Sequence, residues 1–98
     1  MGKKVTAPPD PRIAQAVDWM VQELASKGGN NLSQYSVARH VRENVGADLV
    51  YRNSNGNWAL DPRINDLFRQ RTPDVVWIRS DQSWRQRRPK DKPGRMQP

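Results

Sequence analysis

The sequence predicts a small α+β domain, with three helices, two short β-hairpins and flexible termini, and three features carry that prediction. The tetrapeptide Asp-Pro-Arg-Ile opens an amphipathic stretch twice, at 10–13 and at 61–64. Asn55-Gly56 lies between two β-prone runs, Leu49-Val50-Tyr51 and Trp58-Ala59-Leu60, a pattern that favours a tight hairpin turn. The run Val75-Val76-Trp77-Ile78 and the run Ser83-Trp84-Arg85-Gln86 flank a turn-forming Ser80-Asp81-Gln82.

Each element has a local reason. Asp10 suits a helix N-cap and Pro11 the first helical position. Ile13, Val17, Met20, Val21 and Leu24 then recur at helical spacing as one buried stripe, and Trp19 lies off it. Gly28-Gly29 ends this first helix. Ser33 caps a second helix, with Leu32 and Val37 at the two positions of a hydrophobic staple. Val37, Ala38, Val41 and Val45 form its apolar face, and Gly46 is expected to take the left-handed position after it. Residues 49–60 are read as a hairpin, with an irregular loop as the competing conformation because Asn53 to Asn57 is poor strand material. Asp61-Pro62 starts a third, short helix with Ile64, Leu67 and Phe68 inward, and Thr72-Pro73 stops it. The two last runs form a second hairpin in which Trp77 and Trp84 pair across the strands and cover the core.

Charge is unevenly distributed. The 98 residues carry a net charge of +7. Between Val5 and Trp84 nine cations balance nine anions. The excess lies at Lys3 and Lys4 and in the stretch from Arg85 onward, where Arg85, Arg87, Arg88, Lys90, Lys92 and Arg95 face a single Asp91. With only 35% hydrophobic residues, part of the chain is expected to stay outside the core. Proline at 8, 9, 89, 93 and 98 marks the ends as extended. The domain organisation expected is a flexible segment at 1–9, a single folded domain at 10–88 and a basic disordered tail at 89–98.

Several function classes are disfavoured. There is no cysteine, which removes disulfides and thiolate metal sites. His40 is the only histidine, too few for a zinc site. Ser36 stands four residues before it, without the strained nucleophile turn that hydrolases use. No glycine-rich phosphate loop is present. The expectation is a protein that is not an enzyme, with no catalytic residues, no metal and no cofactor. No small-molecule substrate is evident. No apolar run reaches membrane-span length, and Lys3-Lys4 is not followed by the apolar stretch of a secretory signal. A cytoplasmic protein without membrane association is expected.

The order helix, helix, irregular hairpin, short helix, hairpin resembles a winged helix-turn-helix over about residues 10–87. That resemblance implies a short leading strand at Leu32-Ser33-Gln34, a first paired helix around Val37 to Val41, a recognition helix from Arg63 to Arg71, and a wing from Val75 to Arg87. The stretch between the two paired helices is far longer than the usual turn of three or four residues. The overall pattern is also similar to small bacterial or phage proteins of uncharacterised families, a likeness that implies no activity.

Two functions from different classes follow. In the first, a small accessory protein binds nucleic acid, with DNA the expected partner. Arg79, Arg85, Arg87 and Arg88 of the wing, with Lys90 and Lys92 of the tail, would hold the phosphate backbone. Arg63, Arg69 and Arg71 would add readout from the third helix. Asp61 and Asp66 on that helix oppose this, and an ordinary solvated face is the competing reading. In the second, Trp19, Tyr51 and Trp58 form an exposed patch that docks a protein partner or a second copy of the chain.

Overall fold

The computed structural model describes residues 10–98, so the flexible segment expected at 1–9 lies outside the described residues. The elements follow in the order α1 (Pro11–Ser26), β1 (Leu32–Ser33), α2 (Gln34–Asn44), β2 (Val50–Arg52), β3 (Trp58–Leu60), α3 (Pro62–Arg71), β4 (Val75–Ile78), β5 (Ser83–Gln86) and β6 (Met96–Gln97). A single 3-10 turn at Ala47–Leu49 leads into β2. This is an α+β architecture of three helices and short strands.

The repeated tetrapeptide is the same device used twice. The Asp10 carboxylate accepts the Arg12 backbone N–H at 3.0 Å, and Asp61 accepts that of Arg63 at 2.9 Å. Each carboxylate also grips the guanidinium of the same arginine, at 2.7 Å and 2.9 Å respectively. The cap therefore absorbs a cation as well as an orphan N–H. Arg12 extends further, to Asp48 at 2.8 Å, and so fastens the start of α1 to the 3-10 turn. Arg71, the last residue of α3, pairs with Asp18 half-way along α1.

Glycine terminates α1 as expected, with Gly28 at φ +61° and Gly29 at φ +94°. Gly46 departs from expectation. Its φ of 176° is extended, not left-handed. The reason for a glycine there is proximity: a Cβ would run into the Arg12 guanidinium and stand 2.9 Å from the Asp48 carboxylate.

Both hairpins form. In the first, Val50 faces Leu60, Tyr51 faces Ala59 and Arg52 faces Trp58. The Asn53 side chain accepts the backbone N–H groups of Asn55 and Asn57, both at 3.0 Å, which holds an otherwise weak strand sequence in a turn. The second hairpin is the centre of a four-stranded sheet of order β1–β5–β4–β6. One row crosses all four strands: Leu32 opposite Trp84, Trp84 opposite Trp77, Trp77 opposite Met96. Leu32 and Trp84 are buried, Trp77 half-buried and Met96 57% exposed, so the row runs from core to surface. The two tryptophan rings lie 4.8 Å apart. Phe68 of α3 meets Trp84 edge-on at 5.3 Å and 73°, a favourable aromatic geometry.

The largest correction concerns residues 89–98, expected as a disordered tail. They fold back, and β6 adds parallel to β4: Trp77 N–H donates to Arg95 O at 2.7 Å and Arg79 N–H to Gln97 O at 2.9 Å. Arg95 slides under the domain, donating to Thr72 O at 2.7 Å and Val75 O at 3.0 Å, with its guanidinium 5.8 Å from the Phe68 ring. Buried Gln97 closes the connecting loop by bonding Lys92 at both its N–H and its carbonyl. Composition argues for disorder, but the carbonyls of Thr72 and Val75, between α3 and β4, provide a binding place for one of its cations.

Phe68 is fully buried between α3 and the sheet. Phe68→Ala is expected to cost about 3–5 kcal/mol of stability, measurable as a lowered midpoint in urea unfolding.

Candidate nucleic-acid interface

The three recognition cations expected on α3 are each held by a carboxylate. Arg63 is bound to Asp61, Arg69 to Asp66 at 3.2 Å, and Arg71 to Asp18 on α1. These are exposed pairs, worth little in stability, yet they cancel the field that a polyanion would meet. The helix face that sequence reasoning offered for base readout is therefore electrically balanced.

The wing divides. Arg85 lies largely buried against Asp91, at 2.7 Å, with side-chain exposures of 12% and 7%. Asp91 also accepts the Arg88 backbone N–H at 2.7 Å. The Arg85 guanidinium, with help from that N–H, holds the Asp91 carboxyl well below the usual carboxylate range. Arg85 is thus a structural clasp for the C-terminal segment. Arg79 is exposed at the end of β4 and has no carboxylate within ion-pair distance among the described residues.

The cations after β5 behave differently. Arg87 donates to the carbonyls of Lys92 and Gly94. Arg88 donates to Gly29 O at 3.1 Å, which fastens the segment beside the end of α1. Lys90 and Lys92 are exposed. Carbonyl partners orient these guanidinium groups without neutralising them. Arg87, Arg88, Lys90 and Lys92 form a run of four charges that no carboxylate among the described residues balances, because Asp91 is committed to Arg85.

The expected partner patch is not one surface. Trp19 stacks on His40 with ring centres 3.8 Å apart and planes 6° off parallel, so α2 covers it and it is not part of an exposed patch. Trp58 is half-buried with Arg42 at 5.0 Å and Arg52 at 4.4 Å from its ring, both cation–π contacts. Tyr51 is 48% exposed and points to the opposite face of β2 from Arg52. Burial against Trp19 pushes the His40 imidazole below its ordinary value, partly offset by Glu23 and Glu43.

Sequence reasoning passed over Tyr35 and Asp81, which line one cleft together with Arg52 and Trp58. Among the described residues no group of three or more His, Asp or Glu side chains is placed to hold a metal ion. Among the described residues no helix is long and apolar enough to cross a membrane.

A family pattern matches residues 12–86. The chain belongs to DUF6953, a family of unknown function. The DUF6953 match ends on the last residue of β5, so the four unbalanced cations and β6 lie beyond it. Comparison with curated proteins and with solved structures finds no match.

Asp91→Asn is expected to lower the unfolding midpoint at neutral pH by leaving Arg85 without a charged partner. Because the folded carboxyl titrates below the unfolded one, its contribution is complete above about pH 4 and fades as the pH falls. The difference between variant and wild type should therefore shrink in acid, which thermal melts at neutral and acidic pH would reveal.

Proposed function

We propose that the protein is a nucleic-acid-binding accessory factor that holds duplex DNA by its phosphate backbone, through the basic segment that follows β5. The carrying observation is the contrast in pairing: cations on α3 are all matched to carboxylates, whereas Arg87, Arg88, Lys90 and Lys92 are not. Unbalanced lysines and arginines on an otherwise neutral body favour phosphate contact and counterion release without sequence readout.

A winged-helix reading of the fold supports this. The resemblance implies a short leading strand before the paired helices and a wing at the end, and β1 leading directly into α2 and the β4–β5 hairpin stand at those places. The β2–β3 hairpin is then an insertion between the paired helices and accounts for the long connection. The wing contributes Arg79. Balanced charges on α3 argue for backbone attachment over base recognition, which narrows the reading from the sequence.

Titration of labelled duplex DNA at several salt concentrations tests the proposal. Four phosphate contacts correspond to a slope of about −3.6 in log affinity against log salt, at roughly 0.9 per contact. Replacing Lys90 and Lys92 with alanine should lower the slope by about two, whereas Arg63→Ala should leave it in place. Absence of duplex binding at low salt, or a slope indifferent to Lys90 and Lys92, would refute it.

A further inference from the structure

A second site lies on the other side of the wing, where three segments converge on a cleft of about 400 Å³. Its walls are the start of α2, the tip of the β2–β3 hairpin and the wing turn. Gln34 locks all three together. Its backbone N–H donates to Gln82 O at 2.9 Å, and its side-chain Nε2 donates to Trp58 O at 2.7 Å. Gln82 has φ +48°, a left-handed conformation unusual for a residue other than glycine or asparagine. Such strain persists where the surroundings over-determine the backbone, and it gathers at functional sites.

The cleft offers flat surfaces together with one acceptor of full charge. The Arg52 guanidinium lies over the Trp58 ring and is pinned by Gly56 O at 2.8 Å, which fixes it on the ring while the side chain stays exposed. Tyr35 is 59% exposed, the most open large aromatic among the described residues. It sits on a helix start whose packing does not require it. Asp81 is exposed and has no cation within ion-pair distance among the described residues. Its side chain accepts only the Asn31 amide among the described residues, at 3.5 Å.

We infer that this cleft takes a single unpaired nucleobase bearing an exocyclic amino group, so that the protein binds single-stranded nucleic acid as well as duplex. The inference rests on the nucleic-acid reading above and deepens it. Aromatic and guanidinium faces stack on any base. The Asp81 carboxylate repels phosphate, so a base edge and not the backbone enters. It accepts hydrogen bonds only, and thus prefers the amino group of cytosine, adenine or guanine to the carbonyls of thymine or uracil. A neutral sugar could bond to Asp81 and to the guanidinium edge, but its saturated ring cannot stack flat on the guanidinium face, so a planar base is favoured.

Fluorescence anisotropy of the full chain with short labelled oligo-dC and oligo-dT, at high salt to suppress the basic segment, decides the matter. The expected result is tighter binding of oligo-dC by about tenfold, the scale of one good base-edge contact. Asp81→Asn should abolish that preference while leaving oligo-dT binding in place. Tyr35→Ala should weaken both oligonucleotides by about tenfold, as for loss of one stacked base, with an unchanged melting temperature. Equal binding of the two oligonucleotides, indifference to Tyr35→Ala, or binding of a neutral saccharide in their stead would overturn the inference. The Lys90 and Lys92 double variant separates the two readings. An oligo-dC preference beside a duplex slope indifferent to Lys90 and Lys92 leaves the cleft standing alone, whereas a slope lowered by the double variant beside equal binding of the two oligonucleotides leaves only the basic segment.

Discussion

Trp84 is the point through which the layers of this domain are connected. It lies between Leu32 on one neighbouring strand and Trp77 on the other, and Phe68 of α3 packs edge-on against it. Through Leu32 it fixes where α2 begins, since Ser33 caps that helix immediately afterwards. Through Phe68 it fixes the distance of α3 from the sheet. In a small domain one large buried aromatic supplies a substantial part of the apolar area removed from water. The cleft and the basic segment both depend on the sheet that this residue centres. Gln34 reaches Gln82 only because β1 is paired with β5, and Arg85 reaches Asp91 only because β5 continues past the core.

The charge pattern illustrates how formal counts mislead. Equal numbers of anions and cations in the body do not specify which pairs form. The Asp-Pro-Arg caps neutralise Arg12 and Arg63 within three residues of sequence, and this could be anticipated, because an aspartate two positions before an arginine at a helix start can accept from both its backbone and its side chain. The Arg71–Asp18 pair could not, since 53 residues separate its members. Nor could the Arg85–Asp91 clasp be told from a free tail by composition. Lysine and proline around 89–93 carry the signature of disorder, and the contacts that override it come from Arg95 and Gln97.

Much of the fold was legible. Helix starts at Asp10, Ser33 and Asp61, the Asn-Gly hairpin, the brief leading strand at Leu32-Ser33 and the facing tryptophans of the wing all follow from local rules about capping, turn chemistry and alternation. What stayed hidden was long-range. Gly46 has the sequence position of a helix stop, but its small size serves the approach of Arg12. The sequence sets Trp19 beside Tyr51 and Trp58 in one exposed patch, but His40 sits over it. The cleft was invisible because its three walls are loops far apart in sequence, brought together by a glutamine that carries no motif.

The pairing of β6 with β4 has a consequence for the behaviour of the chain in concentrated solution. Val75-Val76-Trp77-Ile78 is an uncharged, β-prone run of the kind that recruits identical strands from neighbouring molecules when its edge is bare. With β6 alongside, the outermost strands of the sheet are β1 and β6, each only two residues long. Pro98, immediately after β6, has no N–H to lengthen a ladder. The sheet thus ends in stubs too short to template another chain, and the same arginine that anchors the C-terminal strand guards the protein against fibrous self-association.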